Sequence, residues 1–280
     1  LIRAYGDKIG SGESYLKLTS DVLRLDLPFV EERTKRFIKD YVEKSGTRGI
    51  VMGVSGGVDS STAAAISALA IGGGNVLGLV MPEEETYNPI DIEHAKMVTE
   101  KFGFPVEIID ITSILRTFYQ SLPVYDPNDK VSRGNVKARV RMVCLYYHAN
   151  RLGRIVVGSS DKSETMIGYF TKWGDAAADI SPLMDLYKTQ VRQLALHIGV
   201  PPEVAMKPSS PGLWPGHLAE EELGIRYEIL DLILYGLEHS MKPEHIAEQL
   251  SLPIQTISNV KRRWLATEHK RRLPLTIKQK

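Results

Sequence analysis

A loop rich in glycine and serine is the part of the sequence whose residue types most directly indicate chemistry. The run Gly53-Val54-Ser55-Gly56-Gly57-Val58-Asp59-Ser60-Ser61 stands between a short apolar segment and an alanine-rich one. Glycines let the backbone approach an anion, successive amide N–H groups can turn toward it, and a following helix presents its positive end. The serine hydroxyls add further donors. The loop therefore predicts a site that binds phosphate groups.

The residue types of this loop limit the reactions of ATP that it could support. The lysine that follows the second glycine of a Walker loop, and that reaches the β- and γ-phosphates, is absent. Transfer of a γ-phosphate is therefore disfavoured. An aspartate in a phosphate site repels its ligand unless a cation intervenes, so we expect Asp59 to bind Mg²⁺ together with pyrophosphate oxygens. The alternative is a tight turn followed by an early-helix charge that complements the helix dipole.

Strand and helix patterns alternate around the loop. Unbroken apolar runs, typical of buried parallel strands, occupy 50–54, 76–81, 106–111 and 154–158. Helical spacing of apolar residues occupies 28–45, 58–71, 90–102 and 135–152. These patterns predict an α/β fold, a doubly wound, Rossmann-like parallel sheet of about five strands flanked by helices. Ligands bind at the carboxyl ends of such strands, where Ser55-Gly56-Gly57, Met81-Pro82 and Ser159-Ser160 stand.

The composition of the sequence changes after about residue 201. A stretch rich in Pro, Ser and Gly at 207–216 precedes helical patterns at 220–237, 243–250 and 254–268. No internal repeat or low-complexity tract interrupts the chain. We therefore expect one domain over 1–280, in which 201–280 forms a loop and a helical C-terminal extension of the same domain.

Composition excludes several classes of function. Thirty-five Lys and Arg against thirty-four Asp and Glu give a formal charge of +1, so no overall field attracts nucleic acid or an anionic membrane. The single cysteine, Cys144, excludes an internal disulfide and suits a reducing cytoplasm. No window is long and apolar enough for a membrane span, and Leu1 to Gly10 lacks the apolar core of a signal peptide. We expect a cytoplasmic location.

The loop motif SGGVDSS resembles the pyrophosphate loop of the ATP pyrophosphatase superfamily, whose members adenylate a substrate and release pyrophosphate. Several further blocks, in order, resemble the NAD synthetase family from roughly residue 28 to the end of the chain. They are NVKARVRM at 135–142, GSSDKSE at 158–164, GYFTKWGD at 168–175, GLW at 212–214, ELG at 222–224 and TEHKR at 267–271. The resemblance implies amidation of nicotinic acid adenine dinucleotide to NAD by a homodimeric ligase, through an adenylate, with release of AMP and pyrophosphate.

The resemblance also implies roles for individual residues. Those implied to contact ATP are Gly53, Val54, Ser55, Gly56, Gly57, Val58, Asp59, Ser60, Ser159, Lys188 and Ser210. Asp59 and Glu164 are implied to hold Mg²⁺, and Asp59 and Lys188 to act in catalysis. Those implied to bind the dinucleotide substrate are Arg139, Lys172, Asp179, His269 and Lys270. Two carboxylates suit a hard divalent ion shared with phosphates, and a lysine offers a point charge to departing pyrophosphate.

Some positions depart from the family pattern, and other interpretations stay open. Asp161 stands where Asn is usual, which adds a negative charge close to Glu164, and His217 stands where Gln is common. The basic residues of 137–141 could form a solvated helix face or pair at a dimer interface. The basic residues of 269–272 could form no more than a basic tail.

The nitrogen donor and the reaction class also have alternatives. Free ammonia is the expected nitrogen donor, because a glutamine-hydrolysing domain would need a few hundred more residues. A GMP-synthetase-like enzyme and an ATP-binding sensor without catalysis are the alternatives to the amidating ligase.

Overall fold

A four-stranded parallel sheet forms the centre of the fold. The computed structural model describes residues 17–277. The strands are β1 (Ile50–Gly53), β2 (Val76–Val80), β3 (Val106–Ile108) and β4 (Ile155–Val156), in the spatial order β3-β2-β1-β4. The predicted parallel α/β class and the positions of all four strands are confirmed. The expectation about Leu1 to Gly10 lies outside the described residues.

About five strands were expected, and a short stretch stands where a fifth would lie. Ile180 forms an isolated parallel bridge with Val157, just beyond β4. The neighbouring Asp179 N–H donates to the Val156 carbonyl, and the Asp179 carboxylate accepts from the Val156 N–H at 2.7 Å. One side chain thus satisfies a donor that a further strand would otherwise satisfy.

Twelve α-helices surround the sheet within residues 17–277. They are α1 (Leu27–Ser45), α2 (Val58–Ile71), α3 (Pro89–Phe102), α4 (Thr112–Gln120), α5 (Lys130–Leu152), α6 (Lys162–Ile167), α7 (Lys188–His197), α8 (Pro202–Ala205), α9 (Ala219–Leu223), α10 (Tyr227–Glu238), α11 (Pro243–Leu250) and α12 (Ile254–Ala266). Their ends follow local sequence signals. In α3, for example, Asn88 accepts from the Ile90 N–H, Pro89 takes the first turn, and Gly103 ends the helix in a left-handed conformation.

The prediction of one helix over 220–237 was wrong in one respect, because two helices occupy this range. Gly224 ends α9 with φ 67°, a left-handed backbone that glycine adopts without steric cost, and α10 begins three residues later at Tyr227. The apolar spacing continues across this break, which is why the pattern alone did not reveal it. Helices α4, α6, α7 and α8 were not predicted. Helices α6 and α8 have six and four residues, too few for a clear apolar period.

The buried apolar side chains divide according to the faces of the sheet. Ile50 and Met52 of β1 face the core beneath α1, α2 and α7, whereas Val51 of the same strand faces α4 and α5 on the other side. A third cluster lies under the C-terminal helices and centres on α10, with Leu234 among its fully buried members. Among the described residues, no helix combines the length and apolar character needed to cross a bilayer.

Lys137 of α5 is a buried ionic link between three segments, rather than part of a solvated helix face. Its ammonium donates to the carboxylates of Glu83 at 2.7 Å and Glu85 at 2.8 Å, and to the carbonyl of Leu213 at 3.0 Å. Lys137 is 1% exposed and Glu83 is 3% exposed. Although burial opposes it, the Lys137 ammonium lowers the pKa of Glu83. The loop after β2 and the 207–216 loop are therefore held on α5 by one cation.

We expect Lys137→Met to lower the free energy of unfolding by about 3–5 kcal/mol, because it leaves the buried Glu83 carboxylate without a counter-charge. Urea denaturation followed by circular dichroism measures this change. Lys130→Met, which removes an exposed lysine of the same helix, is the control and should change stability by less than about 0.5 kcal/mol. Equal effects of the two substitutions would contradict the role given to Lys137.

Candidate active site

The predicted phosphate loop joins the end of β1 to the start of α2. Ser61 is the first residue whose N–H bonds back to a carbonyl, that of Gly57, so the N–H groups of Val58, Asp59 and Ser60 stay open at the helix start. The Ser60 hydroxyl lies 2.9 Å from the Ser55 hydroxyl and accepts from the Ser55 N–H. The loop therefore presents a set of oriented donors with the positive end of a 14-residue helix behind it.

Gly56 fixes how close this loop lies to the neighbouring helix. Its φ is 75°, in the left-handed region, and a Cβ added there would overlap the backbone carbonyl of Asp91 at the start of α3. Only glycine meets both conditions. The motif is thus required by the packing of the loop as well as by its chemistry.

Three carboxylates converge on one ammonium beside the phosphate loop. The Lys188 Nζ lies 2.6 Å from Asp59 Oδ2, 2.8 Å from Asp161 Oδ2 and 2.9 Å from Glu164 Oε1. We call these four residues the carboxylate cluster. Asp59 follows β1, Asp161 and Glu164 follow β4, and Lys188 begins α7, so the cluster lies between β1 and β4. In this sheet the chain order reverses there, which is where open α/β sheets bind ligands.

Asp161 has two functions in this geometry. Its Oδ1 accepts from the Glu164 N–H at 2.8 Å and so caps the start of α6, while its Oδ2 faces Lys188. An asparagine would cap the helix equally well but would bring no charge. The aspartate therefore adds a third anion to the cluster, and its side chain is fully buried.

The cluster holds more negative charge than one lysine neutralises. Burial, then the neighbouring Asp161 carboxylate, raises the pKa of Glu164 to about 8. Burial raises the pKa of Asp161 as well. For Lys188, burial opposes the charged form, but the carboxylates of Asp161 and Asp59 dominate and raise its pKa. A second cation would relieve this excess of negative charge.

The donor set of the cluster fits a hard divalent ion. One oxygen each of Asp59, Asp161 and Glu164 lie within 4.8 Å of one another. Asp59 Oδ1 is buried and accepts no hydrogen bond from the described part of the chain. Carboxylate oxygens arranged in this way, next to a phosphate-binding loop, are ligands that Mg²⁺ prefers.

Four of the five residues predicted to bind the dinucleotide lie close together in space, around residues 269 and 270. Arg139 donates to the Lys172 carbonyl at 3.2 Å, and Lys172 Nζ donates to the His269 carbonyl at 2.7 Å. Lys270 Nζ donates to the carbonyls of Gly168 and Phe170 at 2.8 and 2.7 Å. Sequence positions more than 100 residues apart thus meet on one surface. Asp179 lies apart from them, beside β4, with Oδ1 3.5 Å from the Tyr146 hydroxyl.

The other two predicted ATP contacts lie on separate segments. Ser159 is half-buried just after β4. The Ser210 hydroxyl donates to the His217 carbonyl at 2.6 Å and accepts from the Gly212 N–H at 3.2 Å, so it shapes the 207–216 loop. His217 also lies 3.5 Å from the ring centroid of Trp214, stacked at 14°.

Arg271 joins the end of the chain to α6. Its guanidinium donates to the carbonyls of Thr165 and Met166, in the last turn of α6, and to the carbonyl of Trp264 in α12. We call residues 267–271 the C-terminal strap. The strap satisfies carbonyls that the short helix α6 leaves open, which positions the helix that carries Glu164.

The sequence analysis did not identify two residues of α10, Tyr227, which contacts the site, and Asp231, which lies behind it. The Tyr227 hydroxyl lies 3.3 Å from Glu164 Oε1, and its ring centroid lies 5.1 Å from Lys188 Nζ. Asp231, one turn further along, is fully buried. A signal for Asp231 existed, since it is the only charged residue in the apolar run Ile229-Leu230-Asp231-Leu232-Ile233. No local pattern indicated Tyr227.

Comparison with known proteins gives a consistent result. A family model described as NAD synthase matches residues 30–274. The NH3-dependent NAD⁺ synthetase of Hyperthermus butylicus is 46% identical over 256 residues, 91% of this chain and 92% of that protein. That of Methanocaldococcus jannaschii is 47% identical over 250 residues, 88% and 95% of the two chains.

Solved structures agree in fold. An NMN synthetase from Francisella tularensis has a TM-score of 0.80 at 29% identity, covering 91% of this chain and 99% of that one. An NH3-dependent NAD synthetase from Campylobacter jejuni, in complex with a nitrate ion, has a TM-score of 0.76 at 28% identity, covering 91% and 100%.

Proposed function

This chain belongs to the NAD synthase family, and from that membership we infer that it is a ligase that forms NAD from nicotinic acid adenine dinucleotide, ammonia and ATP. AMP and pyrophosphate are the other products. The observation that carries this function at the level of the site is the carboxylate cluster beside a lysine-free phosphate loop. That arrangement suits loss of pyrophosphate rather than transfer of a γ-phosphate.

The reaction has two steps, and the protein contributes placement and charge. In the first step a carboxylate oxygen of the nicotinate attacks the α-phosphorus of ATP, and the bond to the bridging oxygen of pyrophosphate breaks. Because the substrate supplies the nucleophile, no protein nucleophile is needed. We propose that the open N–H groups of the phosphate loop hold the departing pyrophosphate and that Lys188 neutralises its growing charge. Ammonia then attacks the acyl carbon, AMP leaves, and the amide loses a proton.

We propose that Asp59 and Glu164 hold Mg²⁺, with Asp161 as a third anion at the same site. When bound, the ion supplies positive charge to the phosphate oxygens of ATP. The excess of negative charge in the carboxylate cluster supports this proposal, as does Asp59 Oδ1, which is buried and has no hydrogen-bond donor among the described residues. The remaining ATP contacts proposed are the loop residues 53–60, Ser159 and Ser210.

We propose further that Arg139, Lys172, His269 and Lys270 bind the dinucleotide substrate, together with Asp179. Cations there match the pyrophosphate of the substrate, and a carboxylate can accept from ribose hydroxyls. The proximity of Arg139, Lys172, His269 and Lys270 supports the proposal. The ammonium of Lys270 already donates to two carbonyls, so its contribution is to shape the 168–173 segment as well as to bring charge.

A homodimer is also part of the proposal. Helices α4 and α5 carry exposed apolar side chains whose burial against a second copy would remove them from water, and the supporting residues are Ile114, Phe118, Val143, Tyr147 and Leu152. We also propose that the protein is cytoplasmic and that residues 1–280 form a single domain. The one unpaired cysteine, Cys144, suits a reducing compartment.

We expect Val143→Glu to convert the protein from a dimer, at twice 31.2 kDa, into a monomer. A charge at the centre of an apolar interface loses its hydration without gaining a partner. Light scattering coupled to size-exclusion chromatography measures the mass. Ile254→Glu, at an exposed apolar position of α12, is the control and should leave the dimer intact. A wild-type protein that elutes as a monomer at all concentrations would contradict the proposal.

The function is tested by one incubation with matched omissions. Purified protein receives ATP, Mg²⁺, ammonium and nicotinic acid adenine dinucleotide, and the products are separated by liquid chromatography. NAD, AMP and pyrophosphate in equal amounts are expected. Parallel reactions replace the dinucleotide with nicotinic acid mononucleotide or xanthosine monophosphate, which test an NMN-synthetase-like and a GMP-synthetase-like activity. Formation of ADP, or ATP binding without any pyrophosphate, would contradict the proposed ligase.

A further inference from the structure

Helix α10 buries a carboxylate against the helices that carry the carboxylate cluster. Most of its side chains pack in the C-terminal apolar cluster, including Leu230 and Leu234 on either side of Asp231. Asp231 is 0% exposed, and it faces the first turns of α6 and α7. Its hydrogen bonds within residues 17–277 go to Ser163 and Thr189, neither of which we propose to bind ATP, Mg²⁺ or the dinucleotide.

The hydrogen bonds of Asp231 connect it to both helices. Its Oδ1 accepts from the Ser163 hydroxyl at 2.5 Å, and its Oδ2 accepts from the N–H and the hydroxyl of Thr189 at 2.8 and 2.7 Å. The Ser163 oxygen in turn accepts from the Lys188 N–H at 2.9 Å. The first two N–H groups of α7 are therefore satisfied by Asp231, one directly and one through a single hydroxyl.

The two bonded residues are sequence neighbours of the cluster side chains. Ser163 precedes Glu164 in α6, and Thr189 follows Lys188 in α7. A change in the Asp231 contacts would therefore move the backbone from which Glu164 and Lys188 project. A displacement of about 1 Å in such a group can slow a reaction about 10²-fold.

We propose that Asp231 is a positioning residue, which sets the separation of Glu164 and Lys188 across the carboxylate cluster by holding the starts of α6 and α7 together. This inference rests on the proposed function, because it assigns the cluster to pyrophosphate release. Apolar packing alone gives no reason for a carboxylate here. A leucine would suit the apolar neighbours, whereas burial raises the pKa of Asp231 to about 7, because the ionised carboxylate is costly to bury.

Asp231→Asn is the direct test, because it keeps the size of the side chain but leaves one acceptor oxygen for three donors. We expect kcat to fall about 10- to 100-fold, while kcat/KM for ammonium stays unchanged, since ammonia reacts with the adenylate only after pyrophosphate has left. The Mg²⁺ concentration for half-maximal activity should rise. Mn²⁺ binding to the protein without nucleotide, followed by electron paramagnetic resonance, should weaken in parallel.

Leu234→Ala, one turn away on the same helix, is the matched control for lost stability. It removes buried apolar contacts and lowers the unfolding temperature, and it should leave kcat and Mn²⁺ affinity unchanged in the folded protein. If both variants lose stability and neither changes these two properties, Asp231 is only structural and the proposal is overturned.

A third variant covers the case in which Asp231→Asn does not fold. Ser163→Ala removes the link to the Lys188 N–H and keeps the bonds to Thr189, and it should lower kcat and Mn²⁺ affinity by less than Asp231→Asn. Wild-type values in Ser163→Ala would overturn the proposal. A wild-type protein that forms no NAD would contradict the proposed function, and the Mn²⁺ measurement would then still decide the role of Asp231.

Discussion

Asp59→Asn should lower kcat for NAD formation by about 10³-fold or more while leaving the fold intact. The substitution keeps the size of the side chain but removes one of the negative charges that face the proposed Mg²⁺, and loss of a single preorganised electrostatic contact costs about 10²- to 10³-fold on its own. Here the loss would also weaken binding of the ion that we propose to face the phosphates of ATP. Pyrophosphate release, followed with a coupled phosphate assay, measures the effect, and circular dichroism reports the fold.

Asp110→Asn is the control for Asp59→Asn. Asp110 also follows a strand of the sheet, β3, and its carboxylate accepts from the Thr112 N–H at 2.8 Å. Asp110 lies outside the carboxylate cluster, so the kcat of the Asp110→Asn variant should stay within about twofold of the wild-type value. Unaltered turnover in Asp59→Asn, with or without an effect of the control, would refute the role of Asp59.

Lys188→Met should abolish turnover and also make the stability of the protein depend on divalent ions. Without the ammonium, the oxygens of Asp59, Asp161 and Glu164 stay within 4.8 Å of one another with no cation between them. Removing one partner from a buried ionic group costs about 3–5 kcal/mol. We therefore expect the unfolding temperature of this variant to fall sharply in a chelator and to rise with millimolar Mg²⁺ in the absence of ATP.

The wild-type protein should show a smaller rise with Mg²⁺, because Lys188 already neutralises part of the charge. Lys162→Met removes a neighbouring lysine that pairs with Asp185 and Glu238 instead, and it should respond to Mg²⁺ as the wild type does. Differential scanning fluorimetry of the three proteins, with and without chelator, measures the difference. Equal Mg²⁺ responses in all three would show that Lys188 does not neutralise the charge of the cluster.

The sequence predicted those parts of the fold that short-range patterns specify. Unbroken apolar runs marked all four strands, and the glycines and Asp59 of the loop marked the edge of the sheet at which the candidate site lies. Resemblance to a family then supplied Glu164 and Lys188, which do meet Asp59 in the structure. These features could be predicted because each depends on residue types within a single segment or in an ordered series of blocks.

The rest depends on contacts between distant segments, which no local pattern encodes. Asp231 bonds to Ser163 across 68 positions, and Lys137 to Glu83 across 54. A charged residue on a helix is usually solvated, so Lys137 gave no sign of its burial. Asp161 was visible as a departure from the family pattern, but its place inside the cluster, with one oxygen capping a helix and the other facing a cation, appears only in three dimensions.

The C-terminal strap has a consequence for how the protein is made. Arg271 donates to carbonyls in the last turn of α6, and Lys270 donates to carbonyls in the segment after it. Carbonyls between residues 165 and 170 therefore accept hydrogen bonds from residues that are synthesised about 100 positions later. During translation the sheet and the phosphate loop can form while the chain is still growing, but these contacts cannot form until residue 271 has cleared the ribosomal exit tunnel. A nascent chain stalled before that point would hold the loop and lack the finished site.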